Sequence, residues 1–193
     1  MNFKPIAGAL AVATLFAAGS AAAAPASYTI DPNHTFPSFA VPHIQGISIW
    51  RGKITKSAGS VVLDREAKTG SVDITMQANS FDFGFPKLDA HVESDEMMDA
   101  KKFPTITYKG TIKFDGDNPG EVDGNLTMHG VTKPVVLKLN SFKCIMHPML
   151  KKEVCGADAS GELNRADFGV DYGVQMTGSP MVQLQIQVEA FKD

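Results

Sequence analysis

The chain has 193 residues, a formal net charge of −3, 44% hydrophobic residues and two cysteines. This length suits one domain with a sizeable core. The mild acidity, with no basic patch interleaved with aromatics, argues against nucleic-acid binding and against adsorption to anionic membranes.

In chain order, the first feature is a leader. Lys4 supplies a positive charge, residues 6–18 form an apolar run, and small residues follow at 21–24. These are the parts of a secretory signal peptide. A cut after Ala23 places Ala21 and Ala23 in the two small-residue positions, and a cut after Ala26 also fits. The apolar run is short of the roughly 20 residues that span a bilayer, and no cysteine follows it to carry a lipid. The expectation is residues 1–23 removed and residues 24–193 exported as one domain, most simply to a bacterial periplasm.

The mature chain then reads as strands. Residues 27–31 open the domain and 36–41 follow, with Pro37 marking an edge or a break. Residues 50–57 and 59–64 read as a pair joined at a tight turn. Residues 71–78 alternate Val72, Ile74, Met76 and Ala78 with polar neighbours. Residues 85–102 break the rhythm: they are rich in charge and helix formers between Pro86 and Pro104. One or two helical turns are expected there, over one end of the fold, either with Met97 and Met98 facing inward to plug it or as a surface helix with no gating role. Strands resume at 105–114, 121–128, 135–145, 154–163 and 181–191. In the last, Val182, Leu184, Ile186, Val188 and Ala190 alternate with Gln183, Gln185, Gln187 and Glu189. Alternate residues of a strand face opposite sides, so each such strand has one greasy and one wet face. About eight to ten short strands with this pattern predict an antiparallel sandwich or barrel, and a barrel of about eight strands has an interior that side chains fill or that one slender ligand occupies.

Chemistry is sparsely marked. The five histidines are His34, His43, His91, His129 and His147, and no HExxH, GxSxG, P-loop or dinucleotide fingerprint accompanies them. His34 reads as a loop tie beside Asp31, His129 as a solvated turn residue, and His91 as a surface partner of Asp95. In an oxidising compartment Cys144 and Cys155 read as one disulfide, worth about 3 kcal/mol on the chain-entropy model. The competing reading takes Cys144, Met146, His147, Met149 and Cys155 as soft ligands for copper or zinc. There is no CxxCH for covalent haem. Twelve phenylalanines and nine methionines, including Phe81, Phe83 and Phe85 at two-residue spacing, read either as packed core, the commoner use of such a stripe, or as the lining of a cavity for a flexible apolar guest.

Four stretches, in order, resemble the YceI-like family of exported bacterial proteins. They are Tyr28-x-Ile30-Asp31-Pro32-x-His34-Thr35; Leu88-Asp89-x-His91-Val92-x-Ser94 running on through Lys102-Phe103-Pro104-x-Ile106-x-Tyr108; Gly124-Asn125-Leu126-Thr127-Met128-His129-Gly130-Val131-Thr132-Lys133-Pro134; and Asn164-Arg165-x-Asp167-Phe168-Gly169. The resemblance implies an all-β fold, an extended antiparallel lipocalin-like barrel of about eight strands, with a short helical segment near residues 86–101. It also implies an apolar tunnel for a polyisoprenoid lipid, an isoprenoid quinone or a polyprenyl phosphate, with no other cofactor required. Alternation then nominates Phe39, Val41, Trp50, Phe81, Phe83, Met97, Met98, Phe103, Ile106, Leu126, Met128, Phe142 and Phe168 as tunnel residues, and His43 and His91 for its mouth. The expected protein is a non-enzymatic carrier, monomeric or dimeric, in transient contact with the inner membrane or its redox proteins. The rival readings are a metal- or haem-associated redox partner using the Cys144–Cys155 segment, and an enzyme acting on a prenyl lipid.

Overall fold

The computed structural model describes residues 24–193, so the leader assigned to residues 1–23 lies outside the described residues. The elements are β1 (Ala26–Ile30), β2 (Phe36–His43), β3 (Ser48–Ile54), β4 (Ser57–Asp64), β5 (Thr69–Gln77), β6 (Phe81–Asp82), α1 (Pro86–Glu93), β7 (Thr105–Asp115), β8 (Asn118–Met128), β9 (Val131–Met146), β10 (Glu153–Asn164), a 3₁₀ turn (Arg165–Phe168), α2 (Val174–Thr177) and β11 (Met181–Lys192). All strand pairs are antiparallel, in the order β1-β4-β5-β7-β8-β9-β10-β11-β2-β3-β6, and β1 also pairs with β11.

That order describes a closed barrel of eight lines, three of which are interrupted. β11 pairs with β1 through Ala190–Lys192 and with β2 through Gln183–Gln187, so β1 and β2 are one line along it. β4 pairs with β1 and β3 with β2, so β3 and β4 form the next line; β6 and β5 form the third. The expected hairpin of residues 50–57 with 59–64 is therefore corrected: these strands run end to end and do not pair. The apolar alternation continues on either side of the break, and alternation alone does not distinguish a turn from a kink.

The three breaks lie at one level, and buried hydroxyls bridge them. Thr35 Oγ1 donates to the Glu189 carbonyl and accepts from the Glu189 N–H, while Ser57 Oγ donates to the Thr35 carbonyl. Ser80 Oγ donates to the Gln77 carbonyl and accepts from the Lys56 N–H. Backbone polar groups freed by a strand break must find such partners when buried. Before them, His34 Nδ1 lies 2.7 Å from Asp31 Oδ2, which fixes the loop as expected.

Elsewhere the two-residue rhythm becomes an inside and an outside. In β8, Val122, Leu126 and Met128 are buried while Asp123 and Asn125 are exposed. On the outer face Lys109 meets Asp73 and Lys113 meets Asp123, both at 2.8 Å. The chain leaves the wall after β6, forms α1 over one end of the barrel, and rejoins at β7. Pro86 opens α1, and Asp89 Oδ1 accepts the Phe83 N–H at 2.8 Å, which fixes the approach to the helix. The helix ends at Glu93, earlier than the segment expected, and Met97 and Met98 follow it in successive turns.

Candidate functional site

A cavity of about 580 Å³ lies inside the barrel. The inward residues of the strands form its wall. β7 contributes Ile106, Tyr108 and Ile112; β8 contributes Val122, Leu126 and Met128; β11 contributes Val182, Leu184, Ile186, Val188 and Ala190. The last set is the C-terminal alternation read from sequence, now on one face.

Near the α1 end, Phe39 meets Phe81 and Phe83 edge to face, at centroid separations of 5.8 and 5.4 Å. The Phe39 and Phe83 rings close over Gly52, where an added Cβ would stand 2.9 Å from the Phe39 ring and 3.0 Å from Phe83. Edge-to-face packing is a favoured geometry for aromatic pairs. Val41, His43 and Trp50 continue the lining toward the mouth, with His43 and Trp50 in ring contact at 5.6 Å. Phe85 stacks on Trp50 at 6.4 Å.

α1 and the segment after the 3₁₀ turn face each other across this mouth. The His91 ring meets Tyr172 edge to face at 5.0 Å, and His91 Nδ1 is 3.5 Å from Glu96, which corrects the expected pairing with Asp95. Leu88, Val92, Met97 and Met98 also line the cavity from this side. The β2–β3 hairpin tip is tied to α2: the Gln45 N–H donates to the Met176 carbonyl at 2.9 Å, and its side-chain amide donates to the Gln175 carbonyl at 3.0 Å. Around this rim Ile44, Ile47, Phe85 and Met176 are exposed, Ile47 to 81%.

The opposite end has a different chemistry. Cys144 and Cys155 are direct partners on β9 and β10 and form a disulfide. Cys155 and Phe142 line the cavity there. Arg65 Nη2 reaches both sulfurs, at 2.9 and 3.3 Å, and also Tyr28 Oη and Glu153. Tyr28 Oη donates to Glu153 Oε1 at 2.5 Å. That hydroxyl holds the Glu153 carboxyl below its ordinary range, and burial together with the same bond pushes the Tyr28 phenol up to about 12.

Of the residues nominated from sequence, Phe39, Val41, His43, Trp50, Phe81, Phe83, His91, Met97, Met98, Ile106, Leu126, Met128 and Phe142 all line this cavity. Two do not. Phe103 lies on the β8–β9 turn, its ring over Gly130 and 4.7 Å from the His129 ring. Phe168 is 2% exposed, and its carbonyl meets His129 Nδ1 at 3.1 Å. Both stand outside strands, in a turn segment and a 3₁₀ turn, where a two-residue period carries no facing information. Their cluster also makes His129 half-buried rather than solvated. Sequence reading missed Arg165, Tyr172 and Met176 at the mouth, and noted Phe85 in the phenylalanine stripe without nominating it; the Asn164-Arg165 motif was visible but carried no role. The metal reading of the hairpin loses its thiolates, because both sulfurs are bonded to each other. Among the described residues, no group of three or more His, Cys, Asp or Glu is placed to hold a metal.

Comparison with known proteins places this geometry in context. The YceI-like domain matches residues 28–190. A UPF0312 protein of an Enterobacter strain is 34% identical over 179 residues, covering 91% of this chain and 90% of the relative. Protein YceI of Salmonella arizonae is 32% identical over 190 residues, covering 96% of each. Among solved structures, a Campylobacter jejuni YceI protein is 25% identical with a TM-score of 0.63, over 79% of this chain and 90% of that one. A polyisoprenoid binding domain from Saccharophagus degradans shares the fold at 14% identity, with a TM-score of 0.62 over 87% of this chain and 99% of that one.

Proposed function

The chain belongs to the YceI-like domain family, and on that footing we propose that its barrel is a binding protein for a polyisoprenoid lipid, an isoprenoid quinone or a polyprenyl phosphate, held with the tail along the cavity. The observation that carries this reading is the continuous apolar cavity of about 580 Å³ inside the barrel wall. Each CH₂ withdrawn from water contributes about 0.8 kcal/mol, so a tail of several prenyl units binds well after the cost of ordering it. A barrel of eight lines is narrow, which favours a slender chain over a bulky ring system. Methionines and phenylalanines near the mouth adapt to the bent, branched outline of such a chain. The polyisoprenoid ligand of a domain with the same fold supports the assignment by analogy.

In this reading the protein is a carrier or reservoir and performs no chemistry on its guest. No cofactor is required beyond the lipid itself. The periplasm is its place of work: a disulfide suits an oxidising compartment, and the N-terminal residues read as a signal peptide. Among the described residues no helix is long and apolar enough to cross a membrane. The exposed apolar rim of Ile44, Ile47, Phe85 and Met176 gives the mouth a surface that touches the inner membrane briefly while the tail slides in.

Trp50, the chain's single tryptophan, stands at the mouth and reports directly on filling. Titration with a menaquinone dispersed in mild detergent is expected to quench its fluorescence saturably at one ligand per chain. Quenching that rises linearly, with no saturation, would count against the proposal.

A further inference from the structure

Among the described residues, Arg165 is the one cavity-lining side chain with a permanent charge. It opens the 3₁₀ turn at the end of β10 and is 9% exposed. Its Nη1 donates to the carbonyls of Val170 at 2.7 Å and Tyr172 at 2.9 Å, which fastens the loop that carries Tyr172 against His91. Among the described residues no carboxylate is in ion-pair contact with it, and Asp171 acts on it through its field.

A guanidinium has five N–H donors in a planar fork. Here Nη1 alone has protein partners, yet neither Nε nor Nη2 is sealed away from space without one. The free edge of the fork is the one that grips two oxygens of a phosphate or carboxylate side by side. A buried cation without a counter-charge is costly, and the neighbouring carbonyls offset only part of that cost.

We propose that Arg165 is the head-group site of the cavity, and that it takes the paired oxygens of an anionic head, a phosphate or carboxylate, whose apolar tail fills the barrel. This rests on the lipid-binding reading above and narrows it: an anionic prenyl lipid is preferred over a neutral quinone. Tyr172, His43 and His91 frame the same mouth and keep the head from turning outward.

The test compares three probes with one tail: geranylgeranyl phosphate, the menaquinone with the same side chain, and geranylgeraniol. Wild-type protein is expected to bind the phosphate at least tenfold more tightly than the other two. Arg165→Met is expected to erase that preference, its affinity for geranylgeranyl phosphate falling at least fivefold more than its affinity for geranylgeraniol. Arg165→Lys, which keeps a charge but not the fork, is expected to fall between. The ³¹P resonance of the bound phosphate is expected to shift between wild type and Arg165→Lys, a signature that a loop fastener alone does not give. Equal affinity of wild type for all three probes overturns the proposal, and needs no variant to fold. An equal loss for all three in Arg165→Met overturns it too, since that is what loosening the loop alone produces. Failure of wild type to bind any of the three removes the lipid-binding reading itself.

Discussion

Tyr108 and Gly124 illustrate how single residues shape the interior. The Tyr108 ring crosses the inner face of β8 so that its hydroxyl lies 2.9 Å from the Val135 carbonyl and 3.2 Å from that of Val122. Gly124 leaves the space: a Cβ there would stand 2.5 Å from the ring. Burial holds the Tyr108 phenol well above its ordinary range, so it stays a neutral donor. Gly124→Ala is therefore expected to displace the ring and cost about 1–3 kcal/mol in urea unfolding, the usual cost of overpacking. A variant as stable as wild type would show that the ring moves freely. From sequence, Gly124 is a gap in an otherwise regular alternation. Its purpose emerges only with the register, because the ring that fills it comes from β7. The same holds for Gly52 beneath Phe39 and Phe83. Inward aliphatics such as Val182, Leu184 and Ile186 needed no register, since strand period alone assigns them a face.

At the scale of elements, the β9–β10 hairpin is tied twice, by its disulfide and by the cluster of Arg65, Tyr28 and Glu153. Replacing both cysteines with alanine is expected to lower stability by about 2–4 kcal/mol, measured by chemical denaturation against the oxidised wild type. The cluster adds a pH dependence whose sign follows from its two shifted groups. Glu153 is depressed below its ordinary 4.5, so its contribution is complete above that pH and is lost as acid protonates the folded carboxylate. Tyr28 is raised from 10.0 to about 12, so its contribution is complete below pH 10 and fades between those values as the unfolded chain ionises first. The stability difference between wild type and Tyr28→Phe should thus shrink below pH 4.5; a difference constant from pH 7 to pH 3 would contradict the cluster as drawn. Element by element, strands were legible because each keeps one face dry. The junction of β3 with β4 was not, because a kink in one line and a turn between two lines leave the same local pattern. The two-residue β6 and the four-residue α2 are too short to show any period.

On the scale of the whole molecule, the central feature is a barrel that does not fill itself. Ala159 is small, buried and on the cavity wall. Ala159→Phe is expected to fold, because the added ring enters open space rather than packed atoms, and to lose lipid binding because it obstructs the tail. Retained binding of geranylgeraniol by a folded Ala159→Phe would mean that the tail lies elsewhere. The apolar lining was legible in sequence as a hydrophobic face on nearly every strand, and the four motifs pointed to the family, from which the proposed guest follows. That the interior is open rather than packed was not legible from alternation. Alternation counts faces, whereas a void depends on the closure and stagger of the barrel and on how far each side chain reaches across it.

The most direct test is native mass spectrometry of the protein purified gently from its own host, followed by solvent extraction of the same sample. The account predicts a mass excess of one ligand per chain, recovered in the extract as a prenyl lipid. A chain of bare polypeptide mass, with no prenyl lipid in the extract, would contradict it.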